Sequence, residues 1–133
     1  MTIDKKFKVD TKVNLYLKFS RIKSAHVAVG YNVSYNSTYT LWGTKGNLSV
    51  KRAFNIPPDI NAQIILDREN QTTISIKPVN HFLLMIDNYS KILLGKEKYT
   101  FNFEDDLLKQ ARIMEAARKS SQTKKIIKIN EIK

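Results

Sequence analysis

A glycine-containing turn between two alternating segments, in the stretch from Tyr39 to Phe54, constrains the fold of this chain most strongly. Apolar side chains alternate with polar ones on both sides of the turn, which is the period of a half-buried β-strand. The apolar positions are Tyr39, Leu41, Leu48 and Val50. Gly46 can adopt a positive φ without a Cβ clash, as a tight turn often requires. The stretch therefore predicts a β-hairpin, and Gly46→Ala is expected to destabilise the protein by roughly 1 kcal/mol.

Four further segments show the same alternation and extend the hairpin into a sheet. These segments begin at Lys12, Ala25, Ala62 and Thr72. Their short connections favour antiparallel neighbours. The segment 54–60 is excluded as a central strand, because Pro57 and Pro58 supply no backbone N–H. The sequence thus predicts an open, mainly antiparallel sheet of about six strands.

Beyond Pro78 the spacing of apolar residues changes to that of an amphipathic helix. A first helix is predicted for residues 79–94, with Gly95 as its C-terminal cap. Its inner side is expected to consist of Phe82, Met85, Ile86, Tyr89 and Leu93. Burial of this side against the sheet would cover part of one face.

A second helix is predicted for residues 104–121, because Asp105 and Asp106 favour a helix start. Its inner stripe is expected to consist of Leu107, Ala111, Met114 and Ala117. Weak alternation in residues 124–132 predicts an additional edge strand. The predicted fold class is therefore α+β, with two helices packed on one face of a single sheet, in one domain spanning residues 1–133.

The opposite face of the predicted sheet is left without helices. Its side chains are mostly polar, with a tyrosine and an isoleucine among them, and such mixed surfaces are common in interfaces. The candidate interface residues are Tyr16, Lys18, Ser49, Lys51, Gln63, Ile65, Thr73 and Ser75. We expect this face either to be solvated or to mediate assembly into a homo-oligomer.

The formal net charge of +11 does not by itself identify a class of partner. Lysines are scattered over nearly every segment, and no helix-turn-helix, zinc-finger or RNA-platform signature accompanies them. Nucleic acid is therefore not predicted as a partner, although a basic nucleic-acid binder stays the third alternative. The chain lacks cysteine, a secretory signal and an apolar run of membrane-spanning length, so a cytoplasmic location is expected.

Residues for catalysis or cofactor binding are missing from the sequence pattern. The four glycines do not form a dinucleotide-binding or P-loop motif. His26 and His81 have no partner at metal-ligand spacing, and no nucleophile can be placed beside a base. No catalytic, cofactor-binding or metal-binding residue is assigned, and the isolated chain is not expected to be catalytic.

Four pieces of sequence, in order, resemble the C-terminal domain of the glucose–fructose oxidoreductase and inositol dehydrogenase family. The hairpin WGTKG is followed by RAF and a proline-containing crossing, and VDTKVNLYLKF is similar to that domain's early strand. IKPVNHFLLMIDNY is similar to its strand end and following helix, and QARIMEAARKSSQTKKIIKI to its closing helix and tail. The resemblance covers about residues 9–129.

The resemblance implies an open antiparallel sheet belonging to an NAD(P)-dependent oxidoreductase that acts on sugars, cyclitols or sugar nucleotides. In that family this domain shapes the substrate pocket, and its open sheet face commonly mediates oligomerisation. The family's nucleotide-binding half is absent, as is its Glu-Lys-Pro motif, because Lys77-Pro78 follows Ile76. No cofactor is therefore expected in this chain itself, while NAD or NADP is implied for a parent enzyme.

Two hypotheses follow for the role of the chain. The first is a C-terminal domain, excised or naturally split from such an oxidoreductase, that supplies pocket architecture and oligomerisation. Its partners would be further copies through the open sheet face, or a missing N-terminal nucleotide-binding half. The alternative is a stand-alone binding or scaffold protein that uses the same face.

Overall fold

The computed structural model of the chain describes residues 1–54, 56–98 and 102–132, which have an α+β fold. In these residues the strands are β1 (Thr2–Ile3), β2 (Asp10–Lys18), β3 (Ser24–Gly30), β4 (Thr38–Gly43), β5 (Gly46–Lys51), β6 (Ala62–Asp67) and β7 (Gln71–Ile76). The helices are α1 (His81–Leu93), α2 (Phe103–Thr123) and a 3₁₀ helix, Ile129–Glu131. All strand pairs are antiparallel, so the predicted class and strand direction are confirmed.

Two compact units divide the chain. Unit 1 comprises Met1–Val33 with Thr100–Lys133, and its described part holds the sheet β1–β2–β3 and helix α2. Unit 2 comprises Ser34–Tyr99 and holds the sheet β4–β5–β6–β7 and helix α1. The prediction of one sheet of about six strands is not confirmed, because the strands pair in two separate sheets. The third strand was expected to reach Tyr35 but ends at Gly30, and Asn32 interrupts the extended backbone with a φ of 56°.

The β4–β5 hairpin has the turn that the sequence predicts. Gly43 pairs with Gly46 across a two-residue connection. Gly46 has a φ of 129°, and a Cβ on it would overlap the carbonyl oxygen of Asp67 on the neighbouring strand β6. Glycine is thus required here for its backbone conformation and also for the close approach of the next strand.

After strand β5 the backbone returns to the residue that precedes the hairpin, Ser37. The Ala53 N–H donates to the carbonyl of Ser37 at 2.6 Å, and the Phe54 N–H donates to the Ser37 hydroxyl at 3.3 Å. The rings of Phe54 and Tyr39 lie 6.1 Å apart. Pro57 and Pro58 lie outside every strand, as predicted, while Asn55 of this crossing lies outside the described residues.

Helix α1 occupies most of the predicted range and is capped at both ends. The Asn80 side chain accepts a hydrogen bond from the Leu83 N–H at 3.1 Å. At the other end the Lys96 N–H donates to Lys91 and the Gly95 N–H to Ile92, with Gly95 at a φ of 68°. This is a Schellman motif, and it confirms Gly95 as the residue that terminates the helix.

Helix α2 begins with the acidic turn that the sequence predicts, but buries a different face. The Asn102 side chain accepts from the Asp105 N–H and its amide donates to the Asp105 carboxylate. Ala116 is buried, whereas the predicted inner residues Leu107 and Met114 are exposed. The predicted stripe is therefore wrong except at Ala117, which is half-buried next to Ala116.

The residues after α2 do not form the predicted edge strand. Lys124 adopts a left-handed conformation with a φ of 58°, and the Ser120 hydroxyl donates to the Lys125 carbonyl at 2.7 Å. These features turn the chain back along the helix, and Ile132 is buried after the 3₁₀ turn. A local turn at the helix end thus replaces strand pairing.

The two units bury very little of their apolar surface. Among the described residues only Val50, Ala116 and Ile132 are buried hydrophobic side chains. The accessible surface is 12123 Å², whereas two separate compact domains of half this mass would expose about 8,700 Å² together. Helix α1 has no buried residue, so the expected packing of both helices on one face of a sheet is not observed. Large apolar areas of the described residues are therefore exposed to solvent.

Replacement of Gly46 by alanine should lower the free energy of unfolding by about 2 kcal/mol, because the new Cβ would meet the Asp67 carbonyl and the backbone would be strained. The matched control is Gly43→Ala, whose Cβ would lie 3.7 Å from its nearest neighbour and should change stability by no more than about 0.5 kcal/mol. Urea titration followed by circular dichroism measures both. Equal midpoints for the two variants would contradict the close strand approach.

Candidate interaction surfaces

Six of the eight predicted interface residues lie on one face of the sheet in unit 2. Two rows run across β5, β6 and β7, because residues directly opposite each other in a ladder share a face. The first row is Ser49, Ile65 and Thr73, and the second is Lys51, Gln63 and Ser75. We call this surface the polar sheet face. The alternation in the sequence predicted its composition, although its use as an interface stays a prediction.

The other two predicted interface residues belong to the sheet of unit 1. Tyr16 lies opposite His26 and Lys18 opposite Ser24 on the β2–β3 ladder. The rings of Tyr16 and His26 are 4.8 Å apart at a tilt of 55°. The eight residues therefore do not line one face of a single sheet, which is a consequence of the break after Gly30. His26 therefore packs against Tyr16 on the neighbouring strand.

The opposite face of the unit 2 sheet is apolar and only partly covered. Its rows consist of Tyr39, Val50, Ile64 and Ile74, and of Leu41, Leu48 and Leu66. Val50 is 8% exposed at the centre, while Leu41 near the edge is 61% exposed. This is the face that the first helix was expected to cover.

Helix α1 presents a second exposed apolar surface in unit 2. The α1 seam is defined by Phe82, Met85, Ile86, Tyr89 and Leu93, which are between 49% and 69% exposed. These are the residues expected on the inner side of the helix. Their periodicity is as predicted and the helix forms, but the structure leaves the seam accessible.

A charged pair marks the other side of α1. The Lys91 amino group lies 2.6 Å from the Asp87 carboxylate, one helical turn away. This hydrogen bond, with the attraction of the same carboxylate, raises the pKa of the Lys91 amino group. Both residues are exposed and project away from the seam. The same side of the helix also carries three exposed leucines, Leu83, Leu84 and Leu94.

A cleft in unit 1 combines residues that are far apart in the sequence. It has a volume of about 450 Å³ and is lined by residues from the N-terminal segment and from α2. Arg118 Nε of α2 lies 3.6 Å from the Asp10 carboxylate of β2. Sequence reasoning missed this contact, because no pattern links two oppositely charged residues separated by more than a hundred positions. The pair joins helix α2 to strand β2.

Among the described residues, no cluster of three or more histidine, cysteine, aspartate or glutamate side chains could hold a metal ion. His81 lies at the start of α1, away from any such group. None of the helices in the described residues is long and apolar enough to cross a membrane.

The known proteins to which this chain is similar include two reductases, one named for a dTDP-sugar and one crystallised with a TDP compound. The fold is similar to that of part of KijD10, a 3-ketoreductase from Actinomadura kijaniata crystallised with TDP-benzene and NADP, with a TM-score of 0.74. The match covers 84% of this chain and 36% of KijD10, at 21% sequence identity. At that identity the likeness establishes the fold alone.

A second relative is similar in sequence. It is the dTDP-3,4-didehydro-2,6-dideoxy-alpha-D-glucose 3-reductase of Saccharopolyspora spinosa, 34% identical over 61 residues. The match includes 46% of this chain and 18% of the reductase, so the chain spans only a small part of its relative. No protein-family model matches the chain. Both relatives belong to the class of enzyme that the sequence motifs resemble.

Replacement of Asp87 by asparagine should lower the pKa of Lys91 toward its ordinary value of 10.5, because the main hydrogen-bond acceptor loses its charge. A pH titration of the Lys91 side-chain NMR signal measures the change. Glu97→Gln is the matched control and should lower this pKa less, since Glu97 acts only through space. The ion pair stabilises the helix below the ordinary lysine pKa, and this contribution should disappear as the pH rises through the raised pKa. An unchanged pKa in Asp87→Asn would place the two side chains apart.

Proposed function

We propose that these residues form the substrate-side, C-terminal domain of an NAD(P)-dependent oxidoreductase that acts on a sugar nucleotide. The similarity to a region of KijD10 over 84% of the chain is the observation that carries this proposal. The partial sequence match to a dTDP-sugar reductase supports the same class of substrate. The proposal treats residues 1–133 as one functional domain built from the two units.

Hydride transfer would then be performed elsewhere in the enzyme. Dinucleotides bind at a glycine-rich turn followed by a helix, and the four glycines of this chain do not form such a motif. NAD or NADP would therefore bind to a nucleotide-binding half, covalently joined or separate. This chain would contribute walls of the substrate pocket and surfaces for assembly.

The open surfaces described above are consistent with a domain that works in contact with another one. Apolar side chains on α1 and on the sheet of unit 2 remain exposed, and groups of this kind are normally covered in a functional protein. The polar sheet face, with Ile65 at its centre, is the surface that the family resemblance associates with oligomerisation. We propose it as a site of association between copies of the complete enzyme.

Calorimetric titration of the chain with NADP should give no binding, because the phosphate-binding loop is missing. A dissociation constant below about 100 μM would contradict the proposal. The same titration with TDP tests whether the substrate side alone retains affinity, and we expect at most millimolar binding without the other half.

A chimera tests the positive part of the proposal. This chain replaces the matched 36% of KijD10, and the remainder of KijD10 is retained. The chimera should bind NADP as KijD10 does and should bind TDP-benzene within about tenfold of KijD10, because the replaced walls have the same fold. Retained NADP binding with more than about a hundredfold loss for TDP-benzene would contradict a sugar-nucleotide substrate.

A further inference from the structure

The single tryptophan of the chain, Trp42, is almost fully exposed to water. Its exposed fraction is 87%, although tryptophan side chains are highly buried on average. It lies near the end of strand β4, directly before the turn at which Gly43 pairs with Gly46. An indole held on a paired strand and left in water offers a flat surface to a ligand that has an apolar face of its own.

Polar side chains continue the row that Trp42 begins. The residues opposite it on successive strands are Asn47 on β5, Asp67 on β6 and Gln71 on β7. Residues directly opposite each other share a face, so these four side chains lie on one side of the sheet, next to the row through Ser49. Neighbouring strands are about 4.8 Å apart, and the row is therefore about 14 Å long. We call it the Trp42 row.

The hydrogen-bonding groups of the row are of the kinds that hydroxyl groups need. An amide supplies two N–H donors and a carbonyl acceptor, and a carboxylate supplies acceptors. The Asn47 amide donates to the Asp67 carboxylate at 3.3 Å, which leaves each with further groups for a ligand. The Gln71 amide is exposed beside them. A sugar combines an apolar face of C–H bonds with a rim of hydroxyls, and the row offers a matching group for each.

The distribution of charge favours a neutral ligand over an anionic one. A groove of about 870 Å³ lies at the end of the sheet that carries the row and is lined by residues of the two turns. Its two cations, Lys45 and Arg68, are balanced by the carboxylates of Asp67 and Glu69. The row itself carries the Asp67 carboxylate, so a phosphate group over the row would be repelled while a neutral sugar would not.

We propose that the Trp42 row binds a neutral carbohydrate, with a pyranose ring stacked on the indole and its hydroxyls bonded to the amides and the carboxylate that follow. Rings with equatorial substituents fit best, because both of their faces then consist of C–H bonds. The row is long enough for more than one ring, so a short β-1,4-linked chain of glucose units is the preferred ligand. This site lies outside the polar sheet face as defined above and does not depend on the proposed enzymatic role.

Tryptophan fluorescence tests the site directly, because Trp42 is the only tryptophan of the chain. Cellobiose should change the emission with a dissociation constant on the order of 1 mM, and methyl β-D-glucopyranoside should bind at least about threefold more weakly. Glycerol, which has hydroxyls and no ring, is the control and should produce no saturable change. Emission that does not respond to cellobiose up to about 100 mM would overturn the proposal.

Matched variants locate the site on the sheet. Gln71→Ala removes an amide from the row and should raise the dissociation constant for cellobiose at least about fivefold. Leu41→Ala removes the neighbour of Trp42 on the opposite face, 61% exposed, and should change the constant less than about twofold. Circular dichroism checks that both variants are folded. Equal constants for the two variants would overturn the assignment.

Trp42→Ala removes the stacking surface and the fluorescent reporter together, so its binding is measured by saturation-transfer NMR with cellobiose. The signal of the bound sugar should disappear, and a signal as strong as that of the unmodified chain would overturn the proposal. Displacement of cellobiose by inorganic phosphate would also overturn it, in favour of an anion site.

A concentration series without sugar distinguishes a ligand site from a contact between copies. The emission maximum should stay that of an indole in water at every protein concentration. A shift to shorter wavelength as the concentration rises would place Trp42 in an interface and overturn the carbohydrate site. The tests with NADP and with the KijD10 chimera would keep their meaning in either case.

Discussion

The register of the β5–β6 ladder, with Val50 opposite Ile64, decides which side chains share a face in the sheet of unit 2. Gly46 lets β6 pass close to the start of β5, because a Cβ at this position would overlap the Asp67 carbonyl oxygen. Because neighbouring side chains in a strand point to opposite faces, a shift of one residue would exchange the polar sheet face with the apolar one. The rows through Ser49 and Lys51, and the apolar row through Val50, follow from this register.

Local interactions form helix α1, but tertiary packing buries none of its side chains. Asn80 and Gly95 satisfy the backbone groups at its two ends, so its length is set within its own sequence. Its apolar seam is exposed all the same, and few side chains elsewhere in the described residues are buried. Local order without a filled core is typical of polypeptide that completes its folding against a partner.

Similarity to sugar-nucleotide reductases gives the open surfaces a context. The chain matches only 36% of KijD10 and 18% of the dTDP-sugar reductase, so most of each relative has no counterpart here. An enzyme that divides cofactor binding and substrate binding between two regions needs surfaces on each that fit the other. Apolar areas that are exposed in this chain agree with such a division.

Alternation and helical spacing in the sequence determined the class of fold, the hairpin at Gly46, both helices and the cap at Gly95, because each of these depends on neighbouring residues. Only the tertiary structure decided that the strands divide into two sheets, since Asn32 turns the backbone where the pattern of side chains continues to Tyr35. It also decided which side of α2 is buried, since Ala116 is buried while Leu107 and Met114 of the predicted stripe are exposed. Such choices depend on contacts between distant segments, such as Asp10 with Arg118, and no local pattern encodes them.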